Sequence, residues 1–256
     1  MKNFVAIVLA ITWRRLRHYR RNPAISIPYF MMPLLLFAFG GGSLSRLDAV
    51  PQFDFPPGYT TFYFVFILFQ GAAFTGAATG GSIAADFETG FASRLMLAAS
   101  HRASIVVGYI VASSCLAVSL MLFLTTVALA TGMNIDGNAL QMAVVYIMVL
   151  LLAVVASLWG AGFALRVQLT QAQSAVSMPL FLTLMLSPAF VPRPLLGEAL
   201  KAVANYNPMT AILEAARGLV SGRPDETGLA FLVIFGLIAA FTVWSVTGLR
   251  SALNAA

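Results

Sequence analysis

"AADFETGFASRLMLAASHR", residues 84–102, is a short charged stretch between two long apolar runs, at about 61–83 and 104–131. Each run exceeds the roughly 20 residues that a helix needs to cross a bilayer. A turn of a few residues would be enough to connect two such helices, yet the charged stretch is much longer. The sequence therefore predicts two membrane-spanning helices joined by an additional structural element.

The charged stretch has the pattern of an amphipathic helix. Phe87, Phe91 and Leu95 are spaced four residues apart, which places them on one helical face. Asp86 is expected to cap this helix, and Glu88 to stabilise its first turn through the helix dipole. The simplest interpretation is a loop lying at the membrane interface. Apolar side chains on an exposed polar helix, however, favour a docking element for another protein.

The whole chain has the composition of a membrane protein. Of its 256 residues, 60% are apolar and 9% are charged, whereas about 25% of the residues of a soluble domain are charged. The apolar runs long enough to span a membrane lie at about 25–42, 61–83, 104–131, 140–165, 174–191 and 228–249. We therefore predict an all-α integral membrane protein, a single domain over 1–256 with six transmembrane helices.

The N-terminal segment 1–21 is predicted to form an amphipathic helix in the membrane interface, near anionic headgroups. Its aromatic and basic residues are Trp13, Arg14, Arg15, Arg17, Arg20 and Arg21. A simple positive-inside anchor explains the same cluster equally well. With six spans, ten of the fifteen lysines and arginines fall on the side of the two termini, so both termini are expected to be cytoplasmic. The position of the arginines beside an apolar run argues against nucleic-acid binding.

The segment 192–227, before the last span, is too long for a structureless loop in a compact bundle. Asn207 is expected to cap a helix that begins at Pro208 and stops near Gly222. This helix is too short and too charged to cross a bilayer. We therefore predict an outer re-entrant or interfacial helical hairpin, because irregular backbone at membrane depth must be covered by protein or water.

No catalytic or nucleotide-binding motif is present. The sequence lacks HExxH and G-x-S-x-G motifs, and the glycine-rich stretches "FGGGS" and "GAATGGS" are not followed by the lysine of a phosphate-binding loop. Cys115, the single cysteine, is expected in the core. The centres of the predicted spans contain no Asp, Glu, Lys, Arg or His, which argues against an ion-coupled carrier. We expect a protein that is not an enzyme and that binds no cofactor or metal itself.

Spans two and five carry aromatic, methionine and amide side chains that would suit a path for flat apolar compounds. The candidate pathway residues are Phe66, Phe69, Gln70, Met178, Phe181 and Met185. Core or lipid-facing positions are the simpler explanation for them. In span two, Ala72, Gly76 and Gly80 form a face of small residues, which predicts close packing against another helix, within the chain or in a dimer.

With these features the sequence resembles the ABC-2 family of ABC-exporter permeases, in particular the drug-exporting branch typified by the daunorubicin-resistance permease. "DFETGFASRLMLAASHR" is similar to the acidic-x-x-Gly…Leu…Arg motif that follows the second span in this family. "NYNPMTAILEAARGLVSG" is similar to its Asn-Pro…Arg-Gly…Gly element before the last span. The resemblance covers nearly the whole chain. It departs from the family at Ala99 and Ser100, where the family commonly has a proline.

The resemblance implies a permease subunit of a bacterial plasma-membrane exporter for hydrophobic or amphipathic drugs. It also implies a second permease copy, in a homodimer or heterodimer, and a separate subunit that binds ATP and Mg. The glycan- or lipid-exporting branch of the family, including export of lipid-linked polymers, and a membrane scaffold without transport activity are the alternatives.

The two motifs acquire roles from the same resemblance. The first becomes a cytoplasmic coupling helix over 84–102 that contacts the ATP-binding subunit. Its predicted contact residues are Asp86, Glu88, Gly90, Phe91, Arg94, Leu95 and Arg102. The second motif becomes part of an outer gate. Its predicted residues are Asn207, Pro208, Glu214, Arg217, Gly218 and Gly222.

Overall fold

The computed structural model describes residues 2–50, 53–98 and 101–254. Over these ranges the chain is all-helical, with 84% helix and no strand, which confirms the predicted all-α class. The helices in chain order are α1 Lys2–Arg21, α2 Pro23–Ser43, α3 Tyr59–Glu88, α4 Phe91–Ala98, α5 Ala103–Ala130, α6 Ala139–Val167, α7 Gln173–Met185, α8 Glu198–Tyr206, α9 Pro208–Val220 and α10 Thr227–Asn254.

Five of the described helices are long and apolar enough to cross a membrane: α2, α3, α5, α6 and α10. They coincide with five of the six predicted spans. The remaining predicted span, 174–191, falls on α7, an apolar helix of only 13 residues. Helix α7 contains Pro179 and ends before Pro188. Because a proline disfavours helical backbone at the residue before it, the helix cannot readily extend through Ser187.

Helix α3 lies at the centre of the bundle and is buried along most of its length. Its small residues pack against α6 of the same chain. A Cβ atom at Gly76 would lie 2.5 Å from the Ala153 carbonyl oxygen, and one at Gly80 would lie 2.8 Å from the Gly160 carbonyl oxygen. The small-residue face predicted in span two is therefore used for packing within the chain, because only glycine allows so close an approach.

Helix α1 is amphipathic, as predicted, and packs against the first half of α5. A Cβ atom at Gly108 would lie 2.8 Å from the Ile11 Cβ atom, and the Thr12 hydroxyl donates to the Gly108 carbonyl oxygen at 3.1 Å. Ile11 and Thr12 are buried, whereas Trp13 is 66% exposed. One side of α1 is thus held by the bundle and the opposite side is free to contact its surroundings.

The predicted element 192–227 contains two short helices, α8 and α9. Asn207 caps α9 as expected, since its side-chain oxygen accepts from the Met209 amide at 2.9 Å, and Pro208 is the first helical residue. The chain leaves α9 at Ser221 and Gly222, where φ is +72°. Glycine suits this left-handed conformation, so the predicted end of the helix is confirmed.

Candidate functional site

The predicted coupling segment 84–102 is not one continuous helix. Helix α3 continues through Asp86 to Glu88, and α4 starts only at Phe91, after a turn in which Gly90 has a φ of +70°. The expectation that Asp86 caps the short helix is therefore wrong. Asp86 is instead buried in the last turn of α3, because side chains from two other helices satisfy its carboxylate. Residues 99–100, where a family proline is replaced, lie outside the described residues.

Asp86 links three helices. Both terminal nitrogens of Arg14 donate to its two carboxylate oxygens at 2.7 Å, and the Tyr109 hydroxyl donates to Oδ2. The hydrogen bond from Arg14 to Asp86 raises the pKa of Arg14. Bidentate arginine–carboxylate pairs are among the strongest polar interactions in proteins. The carboxylate of α3 therefore ties α1 and α5 together at this end of the bundle, which we call the α4 end.

Helix α4 is attached to this group of three helices by apolar and cation–π contacts. The Arg14 guanidinium lies 3.8 Å from the centre of the Phe91 ring, a favourable geometry for an attraction between cation and ring. Met96 is buried in an apolar cluster that it forms with side chains of α1, α3 and α5, and Leu95 is half-buried against this cluster. On the other side of α4, Leu97 is 75% exposed. The helix thus presents an apolar side chain outward while its inner face is fixed.

The other predicted coupling residues have different positions. Glu88 accepts from the Thr170 amide at 2.8 Å and from its hydroxyl at 2.9 Å, which connects the end of α3 to the turn before α7. Arg94 is exposed and donates to the Gly90 carbonyl oxygen at 3.2 Å. Arg102 donates to the Met96 carbonyl oxygen at 3.2 Å. Glu88 therefore connects α3 to the α7 segment, and Arg102 bonds the backbone of the last turn of α4.

The α1 arginines divide into two groups. Arg17, Arg20 and Arg21 are exposed. Arg15, in contrast, is 8% exposed and donates to the Ser82 hydroxyl of α3. Its guanidinium therefore points into the bundle rather than toward the surroundings, which differs from the sequence-based expectation for the whole cluster.

A cavity of about 590 Å³ lies between α2, α3 and α7. Of the predicted pathway residues, it is lined by Phe66, Gln70, Phe181 and Met185. The side-chain amide oxygen of Gln70, Oε1, is buried and has no hydrogen-bond partner among the described residues. Such an unpaired group is unfavourable in an apolar wall unless something else supplies a donor.

The two remaining pathway predictions do not line this cavity. Phe69 is fully buried in the core, since it lies on another face of α3. Met178 is 57% exposed and borders a neighbouring surface depression with Phe74 and Phe181. The predicted set therefore combines cavity-lining residues with one core residue and one surface residue.

At the opposite end of the bundle, which we call the α9 end, Arg217 is 4% exposed. It donates to the carbonyl oxygens of Phe62 at 3.1 Å, Pro188 at 2.5 Å and Ala189 at 2.9 Å. Its guanidinium also lies 3.3 Å from the centre of the Phe62 ring. Burial lowers the pKa of Arg217 to about 9, so the side chain stays charged at neutral pH. It joins α9 to the start of α3 and to the chain after α7.

The other residues of the second motif also join α9 to its neighbours. Asn207 donates to the Thr183 carbonyl oxygen of α7 at 2.6 Å. Glu214 pairs with Arg193, and burial raises the pKa of Glu214. A Cβ atom at Gly218 would lie 2.7 Å from the Arg223 carbonyl oxygen, so a larger residue does not fit there. The predicted outer-gate residues are thus brought together in one packed unit.

The sequence profile of the ABC-2 type transporter family matches residues 7–220. This range covers most of the chain, from α1 to the end of α9, and includes both motifs. The chain belongs to the ABC-2 type transporter family. A protein of this family is the membrane-embedded, multi-pass permease subunit of an ABC transporter and works with a separate ATP-binding subunit. A comparison with curated protein sequences found no significant match.

Three polar residues of this ABC-2 permease bond charged side chains and were not predicted from the sequence: Tyr109, Thr170 and Ser82. Each completes a contact to a charged residue at least 23 positions away in the chain, such as Thr170 to Glu88. The available signal was weak, since each is a polar side chain within or next to a long apolar run near its charged end. Among the described residues, no three acidic, histidine or cysteine side chains come together as a metal site.

Proposed function

We propose that this ABC-2 permease is the membrane subunit of an exporter for hydrophobic or amphipathic compounds, as in the drug-exporting branch of its family. In this proposal α4 receives the movement of the ATP-binding subunit. The observation that supports it is the set of contacts that α4 makes. Leu97 is exposed on its outer side. On its inner side, Phe91 contacts Arg14, which pairs with Asp86, so α4 is connected to α1, α3 and α5.

The contacts around α4 supply a route to the large cavity. A displacement of α4 would act on Arg14 and Asp86, and so on the end of α3. Glu88, in the same turn of α3, holds Thr170 at the start of the segment that leads into α7. Helix α7 forms one wall of the cavity. Packed helices can move as rigid bodies, so we expect these charged links to pass a push at α4 on to the cavity wall.

The cavity suits the proposed substrates. Its volume of about 590 Å³ lies within the usual range for sites that bind drug-sized molecules. Aromatic and methionine side chains form most of the wall, and no charged side chain lines it. A compact, largely apolar molecule fits this lining better than a charged polymer. A second permease copy packed against α2 and α7 would close the cavity, and we include such a dimer in the proposal.

We also propose that α7 and the chain after it make a sixth crossing. At the α4 end, Thr170 contacts Glu88 near the end of α3. At the α9 end, Ala189 contacts Arg217 beside Phe62, near the start of α3. The segment therefore runs antiparallel to α3 over nearly its full length. With six crossings both termini lie on one side, which the positive-inside rule assigns to the bacterial cytoplasm, and α8 and α9 form the outer element.

The test is purification of the full chain from its native membrane under mild conditions, followed by identification of whatever remains bound. We expect an ATP-binding subunit with Walker motifs, whose ATP hydrolysis rises when an amphipathic drug such as an anthracycline is added. A stable monomer without an ATPase would contradict the proposal. Stimulation by a lipid-linked polymer, but not by small amphipathic compounds, would contradict the drug-exporting branch.

A further inference from the structure

A second cavity, of about 210 Å³, lies where α1 ends and α2 begins. It is lined by Arg14, Arg15, Arg17, His18, Arg21 and Asn22. The volume is too small for a drug-sized molecule, for which sites of roughly 300 Å³ or more are usual. The lining also differs in kind from that of the large cavity, since it is polar and mostly cationic.

The positive charge around this cavity is largely uncompensated. In the part of the chain that the structure describes, the only ion pairs are Arg14 with Asp86 and Arg193 with Glu214. Arg14 therefore has a counter-ion in direct contact, whereas Arg15, Arg17 and Arg21 have none within ion-pair distance, and Asp86 acts on Arg15 only at longer range. The negative end of the α1 dipole and the positive end of the α2 dipole meet here and oppose each other. The arginine side chains thus determine the sign of the potential.

Arg15 gives the second, independent observation. It is more than nine-tenths buried, and its single hydrogen bond goes to the uncharged Ser82 hydroxyl. Its Nε donor is buried and has no acceptor among the described residues. A buried cation with an unused donor is costly unless an anion is nearby. Because Arg15 lines the cavity, an anion bound there would relieve this cost.

We propose that this cavity binds the phosphate group of an anionic phospholipid. Guanidinium groups match phosphate oxygens in shape and in donor geometry, which makes arginine the preferred residue for such sites. Family membership places the chain in a membrane, and basic pockets beside transmembrane helices commonly hold lipid headgroups. The inference depends on this membrane location and not on drug export.

The position of the site gives the bound lipid a structural role. Arg14 and Arg15 lie side by side, and through them the cavity adjoins the contacts of α1 with α3. A phosphate bound by Arg15, Arg17 and Arg21 would hold the end of α1 in place. His18 offers a local reporter, because burial together with Arg15 and Arg14 lowers its pKa. A bound phosphate would weaken the arginine effect and raise the pKa of His18.

The test compares two double variants of the full chain that lose the same charge. Arg17→Gln with Arg21→Gln removes two exposed cavity arginines, whereas Arg20→Gln with Arg250→Gln removes two exposed arginines outside it. Binding of phosphatidylglycerol and phosphatidylcholine in detergent is measured by native mass spectrometry. We expect the unmodified chain to bind one phosphatidylglycerol in preference to phosphatidylcholine. The cavity variant should weaken this binding at least about tenfold, and the control variant less than about twofold.

Three outcomes would overturn the inference. Equal losses in the two double variants would show general attraction of anionic lipid to a basic helix. Equal binding of phosphatidylcholine would show that anionic charge is not selected. Displacement of the lipid by millimolar inorganic phosphate or glycerol phosphate would assign the site to a soluble phosphate. Thermal unfolding checks that the cavity variant is folded, and the His18 pKa, measured by NMR with and without phosphatidylglycerol, should rise only when lipid binds.

Discussion

The two ends of the bundle hold a buried charge in opposite ways. At the α4 end, the carboxylate of Asp86 accepts from side chains of two other helices. At the α9 end, the guanidinium of Arg217 donates to three backbone carbonyl oxygens. The first charge connects side chain to side chain, and the second connects side chain to main chain.

In the proposed function, this difference suits the α4 end to receive movement and the α9 end to stay closed. A link between side chains fixes the relative positions of helices but does not itself hold the backbone of the nearby α4. A link to backbone carbonyls fixes the course of the chain itself after α7. We therefore expect changes at the α9 end to affect stability first, and changes at the α4 end to affect coupling first.

The largest effect is expected from Arg217→Met, which keeps an unbranched side chain and removes the charge. Three buried carbonyl oxygens lose their donor, so the free energy of unfolding should fall by about 3 kcal/mol. The measurement is thermal stability in detergent together with abundance in the membrane. Arg223→Met, at an exposed arginine near the same end, is the control. Equal stability of the two variants would mean that the α9 end is not held as described.

The next largest effect is expected from Asp86→Asn. The substitution leaves Arg14 without a counter-ion and should cost about 2 kcal/mol of stability. It should also raise ATP hydrolysis relative to transport, because the ion pair between α1 and α3 is lost, although the hydrogen bond from Arg15 to Ser82 remains. The ratio of transported substrate to hydrolysed ATP measures this. Asp54→Asn, at an exposed position, should change neither quantity, and the same ratio in both variants would contradict the link.

A smaller cost in stability, under about 1 kcal/mol, is expected from Glu88→Ala, whereas Leu95→Asp should cost about 1–2 kcal/mol because it replaces an apolar contact by a charge. Glu88 is exposed and Leu95 is half-buried, outside the membrane core of the bundle. Transport should nevertheless be lost while the bundle stays folded. Unchanged efflux and unchanged substrate-stimulated ATP hydrolysis, in a well-expressed double variant, would show that this segment does not couple the subunits.

The smallest effect is expected from Gln70→Leu in the large cavity. The variant loses the unpaired carbonyl oxygen but keeps the apolar wall. Binding of a ligand with a hydrogen-bond donor should weaken about three- to tenfold, whereas its methylated analogue should bind as before. Fluorescence titration of the purified protein with both ligands measures the difference. Equal loss for the two ligands would indicate a change of shape and not of hydrogen bonding.

Local rules predicted most helices and the cap of α9, because apolar length and the Asn207–Pro208 pair act within a few residues. The same rules misplaced Asp86. Its partner Arg14 lies 72 residues away, and a long-range ion pair leaves no local signal in one sequence. The short α7 was predictable in part, since Pro188 stands within the predicted span. Phe66 lines the cavity and Phe69 does not, because different helices pack against the two faces of α3. The spacing of residues along one chain does not show which helices these are.

The central claim is that α4 is the surface that receives the ATP-binding subunit. The most direct measurement is cross-linking from single cysteines placed in a Cys115→Ala background. Leu97→Cys lies on α4 and Leu140→Cys on α6, next to the α9 end, at nearly equal exposures of 75% and 74%. We predict a cross-link to the ATP-binding subunit from position 97 and none from position 140. A cross-link from 140 alone, from both positions equally, or from neither would contradict the account.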